Sequence, residues 1–303
     1  MGVYVACFSG VSIIILCVAF LFNHHAGAQF RRWLQNEPGE PPLLRLPWHI
    51  VSLPGAVLPV TGLYLAFIIS VYKDYDSVTY VHCGPAAEEF MPSISACIGG
   101  HSPQRYIWRI CVALFVWERL LTTPLHYQIY RQVASGGAMR AVNRLRAGAH
   151  VLEQLCLILL TNVSSTDDLL LHQVGFGGFA FFASVSMLST CSLTHVWKRT
   201  SLTSVAGEWP PHLGFRIASS AFTWRCSAGA VNALSLASAM YWYTVHISSC
   251  RRWSYSYFAM SEWLFVLSNI AGHHAEWVEL KGLDAGVLMG HLRESSVEVT
   301  QKK

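Results

Sequence analysis

Four stretches of this chain carry no Asp, Glu, Lys or Arg over more residues than a helix needs to cross a lipid bilayer. They run from Met1 to Phe30, Leu46 to Tyr72, Leu169 to Trp197 and Cys226 to Cys250. A helix crosses the hydrocarbon core in roughly 20 residues. One such stretch fits the buried core helix of a soluble protein; four together do not. Only 13% of the 303 residues are charged and 53% are hydrophobic, whereas an average soluble domain carries roughly 25% charge. So few charges cannot cover a water-facing surface. The reading is an all-α, polytopic membrane helix bundle.

Six core spans are expected, at 49–72, 106–127, 147–164, 174–196, 222–245 and 255–277. A further apolar segment lies at 3–22. Taken as alternate connections, one side holds fourteen Lys and Arg residues and the other four, which are Lys73, Arg105, Arg251 and Arg252. The positive-inside rule then places both ends of the six-helix core in the cytoplasm. The chain divides into an N-terminal apolar segment and linker (1–48), the six-helix domain (49–280) and a cytoplasmic tail (281–303). Ala26-Gly27-Ala28 has the look of a signal-peptidase site. Cleavage there would leave the new N-terminus outside, just before Arg31 and Arg32, which belong inside. An uncleaved extra span is the preferred reading. The net charge of +4 lies between apolar runs and orients the chain; it does not form a nucleic-acid surface, so no nucleic-acid partner is expected.

Charge within such spans is costly, so each instance calls for a partner or a task. In the second span Arg105, Arg109 and Arg119 lie within about 80° on a helical wheel. In the third, Arg146, His150 and Glu153 share a face. In the sixth, Glu262, Asn269, His273 and Glu276 fall within about 60°. One reading is interhelical ion pairing, with Arg119, Glu153 and His273 as its members. The other is a polar pocket for a lipid head group, with Arg105, Arg109 and Glu262 lining it, because a guanidinium fork matches phosphate. The two are compatible. The loop 164–172, Ser-Ser-Thr-Asp-Asp-Leu-Leu-Leu-His, is short and acidic. Its polar side chains serve either as helix caps or, with Asp167, Asp168 and His172, as a general-base cluster.

Familiar catalytic patterns are missing. There is no Gly-x-Ser-x-Gly, no His-Glu-x-x-His, no phosphate-binding glycine loop and no His-x-x-x-x-Asp. The nine cysteines show no Cys-x-x-Cys, and neither a metal nor a cofactor is expected. Cys83, Cys97 and Cys250 fall on the side opposite the cytoplasm, where a disulfide can form; spacing leaves its pairing open. The two halves show no pseudo-symmetry of the kind common in transporters.

A longer pattern runs through these residues. It comprises His82-Cys83-Gly84, Met91-Pro92-Ser93-Ile94-Ser95-Ala96, Ile98-Gly99-Gly100 and Pro103-Gln104-Arg105-Tyr106-Ile107-Trp108-Arg109. It continues through Glu153, the stretch from Leu160 to Asp168, His172, Glu262, Asn269, His273 and Trp277. From about residue 49 to 280 the chain resembles the Frag/DRAM/Sfk membrane family, specifically its post-GPI attachment to proteins factor two branch. Departures are the N-terminal apolar segment, Cys97 and Glu118 before Arg119. The resemblance implies remodelling of the lipid of glycosylphosphatidylinositol (GPI) anchors, supporting reacylation of a lyso-GPI-anchored protein with a saturated fatty acid. It implies a Golgi membrane location, with the endoplasmic reticulum as the alternative. Implied partners are GPI-anchored proteins or their lyso-GPI lipid, and membrane lipids. It leaves open the acyl donor, the oligomeric state and the catalyst; a non-enzymatic accessory to a separate acyltransferase is the second reading. Both Cys83 and Cys250 match positions of the resemblance, and their pairing is the disulfide it implies.

Overall fold

A computed structural model of the protein describes residues 53–84, 87–134, 136–203 and 211–280. The apolar segment at 3–22, the linker to residue 48 and the tail from 281 lie outside the described residues, as do the side chains of Glu276 and Trp277. The described residues form helices α1 (Leu53–Lys73), α2 (Tyr75–Val78), α3 (Ile94–Gly99), α4 (Gln104–Val133), α5 (Gly136–Asn162), α6 (Leu169–Thr203), α7 (Pro211–Ser249) and α8 (Ser254–Leu280). No strand occurs among them.

The six long helices close into a ring. α1 packs on α4, α4 on α5, α5 on α6, α6 on α7, α7 on α8, and α8 returns to α1. The short helix α3 sits at one end, against α1, α4 and α8. The α4–α5, α5–α6 and α7–α8 connections are short. Gly136 turns α4 into α5 at φ +83°, a conformation that a Cβ disfavours. Gly175 lets α6 approach α5 closely, since a Cβ there would come within 3.1 Å of the Leu160 nitrogen.

Polarity runs opposite to that of a soluble protein. Ile110, Leu114, Leu152, Phe181, Leu188, Leu234 and Leu264 face outward, with Leu234 73% exposed. Arg119, Arg146, Arg225, His150, Glu153 and Glu262 are buried, Glu153 completely. Charged side chains are almost never fully buried unless paired, and pairing is what the ring interior supplies. Arg225 donates to the Tyr130 hydroxyl and, at 3.1 Å, to Thr194 Oγ1.

The helices outrun the hydropathy signal. α5 begins at Gly136, eleven residues before the expected span at 147, because backbone hydrogen bonding continues where the sequence turns polar. Arg146, just before that expected span, is therefore inside α5 and buried, with its guanidinium over the Tyr130 ring. The stretch Leu169–Val196 of α6 is long and apolar enough to cross a membrane, and Val57–Lys73 of α1 is a shorter apolar helix. In α4, α5 and α8 the apolar stretch is broken by the buried charges just named.

The end of the ring that carries α3 is fastened by polar contacts. Cys83 and Cys250 form a disulfide across 167 residues of chain. Both Glu89 oxygens accept backbone amides at the start of α8, from Ser256 at 2.7 Å and Tyr255 at 3.1 Å. Ser256 Oγ in turn accepts the Phe90 and Met91 amides. Trp263 Nε1 donates to the Pro92 carbonyl, and Ser70 Oγ to that of Cys97. A disulfide closing so long a loop contributes about 2–4 kcal/mol. Cys250→Ser is expected to lower the melting temperature of the purified protein to match. Peptide mapping without reductant should recover the two cysteines joined. Their recovery as free thiols from native protein would contradict the pairing.

Candidate functional site at the α3 end of the ring

The chain ends of four long helices meet here: the starts of α4, α6 and α8 and the end of α5. Asn162 ends α5, and its last carbonyls have no partners within the helix. Arg109, about one turn into α4, supplies them. Its Nη2 donates to the Asn162 carbonyl at 2.9 Å and its Nε to that of Thr161 at 3.3 Å. A cation at a helix C-terminus also complements the helix dipole.

The loop between α5 and α6 is held by its own side chains. Asp167 Oδ2 accepts the Ser164 hydroxyl at 2.7 Å and the Ser164 amide at 3.2 Å. These bonds, with the charges of Arg109 and Arg105, hold the Asp167 carboxyl below the usual carboxylate range. Asp168 precedes α6, and its Oδ1 accepts the Leu171 amide at 2.9 Å, the geometry of an N-cap. Asp168 therefore holds the start of α6 and Asp167 the loop before it, and neither makes a hydrogen bond to His172 through its side chain.

His172 points the other way. Its Nδ1 lies 2.7 Å from the Val163 carbonyl oxygen, and its Nε2 lies 2.9 Å from Ser95 Oγ. A carbonyl only accepts, so Nδ1 carries a proton and donates it. In the neutral ring Nε2 is then the acceptor, and the Ser95 hydroxyl donates to it. Glu262 of α8 completes the group. Its Oε2 accepts the Ile94 amide at 2.9 Å, and its Oε1 lies 3.4 Å from Ser95 Oγ. The carboxylate thus ties the start of α3, which carries Ser95, to α8. Ser93 caps the same turn by accepting the Ala96 amide at 3.1 Å.

Ser95, His172, Glu262, Arg119 and Asn269 form the polar part of a narrow crevice. Its remaining wall is largely apolar and includes Ile98, Trp108, Phe115, Leu157, Leu160, Phe176, Phe179 and Val266. Its void is about 40 Å³, the room of a few water molecules at most. A longer guest would have to displace side chains along the wall.

Deeper in the ring, Glu153 of α5 accepts from two residues of α8. Asn269 Nδ2 and His273 Nε2 each lie 3.1 Å from Oε1. His150 stacks on His273 with ring centroids 5.2 Å apart, and its Nδ1 meets Thr123 Oγ1 at 2.9 Å. The donor atoms of His150, Glu153 and His273 lie within 4.8 Å of one another, close enough to gather round a metal ion. Yet Glu153 Oε1 is already held by two donors, and the arrangement reads as a hydrogen-bonded ion-pair cluster. A second grouping, His82, Cys83 and His246, has its sulfur in the disulfide and so offers no thiolate.

The structure therefore gathers His172 and Glu262 around one crevice, with Arg109, Asp167 and Asp168 on the adjoining helix ends. Arg105 stacks on Tyr106, its guanidinium carbon 5.3 Å from the ring centroid. The residue that sequence reasoning passed over is Ser95. It lies within a quoted motif, but its partner is 77 residues away, and no local spacing marks such a pair.

A helical ring with an apolar exterior and a charged interior belongs to the class of helical membrane proteins. Residues 47–283 match the Frag1/DRAM/Sfk1/Cwh43P N-terminal domain family. The chain belongs to that family. It is 29% identical over 242 residues to the protein named Acyltransferase PGAP2 from Xenopus tropicalis, covering 80% of this chain and 90% of that one. It is likewise 29% identical over 255 residues to Post-GPI attachment to proteins factor 2 from Caenorhabditis elegans, covering 80% and 89%. The protein of that name from Drosophila melanogaster is 27% identical over 242 residues, covering 80% and 89%. No solved structure matches. The relatives are named for acyl transfer in one case and for a step after GPI attachment to proteins in the others, and the family is one of membrane proteins.

Proposed function

We propose that the protein transfers a saturated fatty acyl chain to the lyso-form of a GPI anchor in the Golgi membrane. All six long helices cross the bilayer in this reading, with the α3 end in the lumen and the α4–α5 connection in the cytoplasm. The observation that carries it is the crevice, where a polar group of Ser95, His172 and Glu262 stands against an apolar wall. That pairing of surfaces suits a lipid carbonyl with its chain attached. Arg105 and Arg109 stand at the same end, on the lumenal side where the anchor's glycan and protein lie. Arg109 retains guanidinium hydrogens beyond the two that bind α5, and these are the donors offered to the anchor phosphate. The relatives named for GPI attachment, one of them for acyl transfer, support the same reading.

The test is reconstitution. Purified full-length protein in liposomes, given a lyso-GPI-anchored protein and a labelled acyl donor, should return the diacyl form. Turnover only after Golgi extract is added would point to an accessory that presents lyso-GPI to another enzyme.

A further inference from the structure

The geometry points to Ser95 as a covalent nucleophile that carries the acyl chain between donor and acceptor. This inference rests on the acyl-transfer reading above and goes beyond it by naming the intermediate. A serine hydroxyl is a weak nucleophile until a positioned base takes its proton, and the base must itself be oriented by a third group. All three parts are present. Ser95 Oγ lies 2.9 Å from His172 Nε2, and the Val163 carbonyl lies 2.7 Å from Nδ1. That second contact fixes the tautomer in which Nε2 can accept. The role that a carboxylate has in the Ser-His-Asp arrangement is taken here by a main-chain oxygen at the end of α5.

The surroundings fit an acyl substrate. His172 is 7% exposed, so its ring is shielded from bulk water. Ser95 and His172 both line the crevice, whose wall of Ile98, Leu157, Phe176 and Phe179 offers an apolar path for the chain. Neither residue is needed as a helix cap. The cap of α3 is Ser93, and the cap of α6 is Asp168.

The substrate class is a long-chain acyl ester or thioester, and the acceptor is a hydroxyl of a lysophospholipid. In the first half-reaction Ser95 Oγ attacks the acyl carbonyl carbon while its proton passes to His172 Nε2. The bond to the leaving oxygen or sulfur breaks, and His172 returns the proton to it. The chain is then esterified to Ser95 Oγ. In the second half the acceptor hydroxyl gives its proton to His172 Nε2 and attacks the same carbonyl. Ser95 Oγ leaves and recovers the proton. Donor and acceptor exchange one acyl group for one hydrogen, and no redox partner is needed.

The experiment uses full-length protein in phosphatidylcholine nanodiscs without acceptor. One arm supplies isotope-labelled stearoyl-coenzyme A; the other carries the isotope in the phosphatidylcholine acyl chain. Mass spectrometry of the peptide containing Ser95 should find the labelled chain on that residue in one of the two arms, which identifies the donor. Adding a lyso-GPI lipid should discharge it. Ser95→Ala and His172→Ala should lower transfer by at least about 10²-fold, the scale of a lost general base. Ser95→Cys should retain the chain as a thioester that neutral hydroxylamine releases, which shows that the site still folds. Transfer to lyso-GPI without any acyl-Ser95, or Ser95→Ala transferring at the wild-type rate, overturns the inference and leaves the proposed function standing. Neither transfer nor acyl-Ser95 overturns both. Acyl-Ser95 without discharge by lyso-GPI supports the nucleophile and shifts the acceptor to another lysophospholipid.

Discussion

Glu153→Ala is expected to cost about 3–5 kcal/mol of stability, the range for removing one partner of a buried ion pair. Glu153 is fully buried, and its Oε1 is shared by Asn269 and His273 at 3.1 Å each. Those two contacts are the tie across the ring between α5 and α8. Removing the carboxylate leaves Asn269 without its acceptor and takes the Glu153 charge away from His273 and Arg119. Arg119, from α4, cannot turn to water, since it is 4% exposed. Glu153→Gln keeps the volume and an acceptor oxygen for Asn269 but removes the charge, so its loss should be smaller than that of the alanine variant. Tryptophan fluorescence during a thermal ramp of detergent-purified protein gives the comparison. Alanine and glutamine variants both melting with the wild type would mean that the cluster contributes nothing net.

The same residues show what the sequence could and could not reveal. The helical face of Glu262, Asn269 and His273 was visible because a period of 3.6 places them on one side, and charge on an apolar helix is rare enough to notice. The partners across the ring were less visible. Spacing within α5 groups Glu153 with Arg146 and His150; His150 does lie beside it, yet its hydrogen bonds go to α8. Arg146 turns instead toward Tyr130 of α4. Spacing reports a shared face, and the neighbour opposite that face comes only from the ring order. Asp167 and Asp168 illustrate the other limit. An acidic pair beside a histidine suits a base cluster as well as a loop tie and a helix cap, and only the positions of Ser164 and Leu171 reveal the contacts these two make. The disulfide became legible through the resemblance, because spacing alone allowed Cys97 as a third candidate. Cys97 is instead a buried thiol on α3.

Glu262→Ala is expected to lower the transfer rate about 10²-fold at saturating substrate, with a much smaller change in KM. Glu262 is 3% exposed and binds the Ile94 amide at 2.9 Å. In the proposed mechanism it acts through Ser95: the carboxylate fixes the first turn of α3 to α8, and that turn sets where Ser95 Oγ stands relative to His172. Displacing a reacting group by about 1 Å can lower a rate about 10²-fold, and loss of the Glu262 tie frees the first turn of α3 for such a shift while Ser70 still holds its far end through the Cys97 carbonyl. In the proposed mechanism the apolar wall supplies most of the substrate affinity, and the variant leaves that wall in place, so the loss should fall on kcat. Glu262→Gln retains an oxygen for the Ile94 amide and should recover most of the rate. A carboxylate that instead exchanged a proton with substrate would lose activity equally as Gln and as Ala. Equal loss in the two variants, or a loss confined to KM, would therefore rule out a positioning role for Glu262.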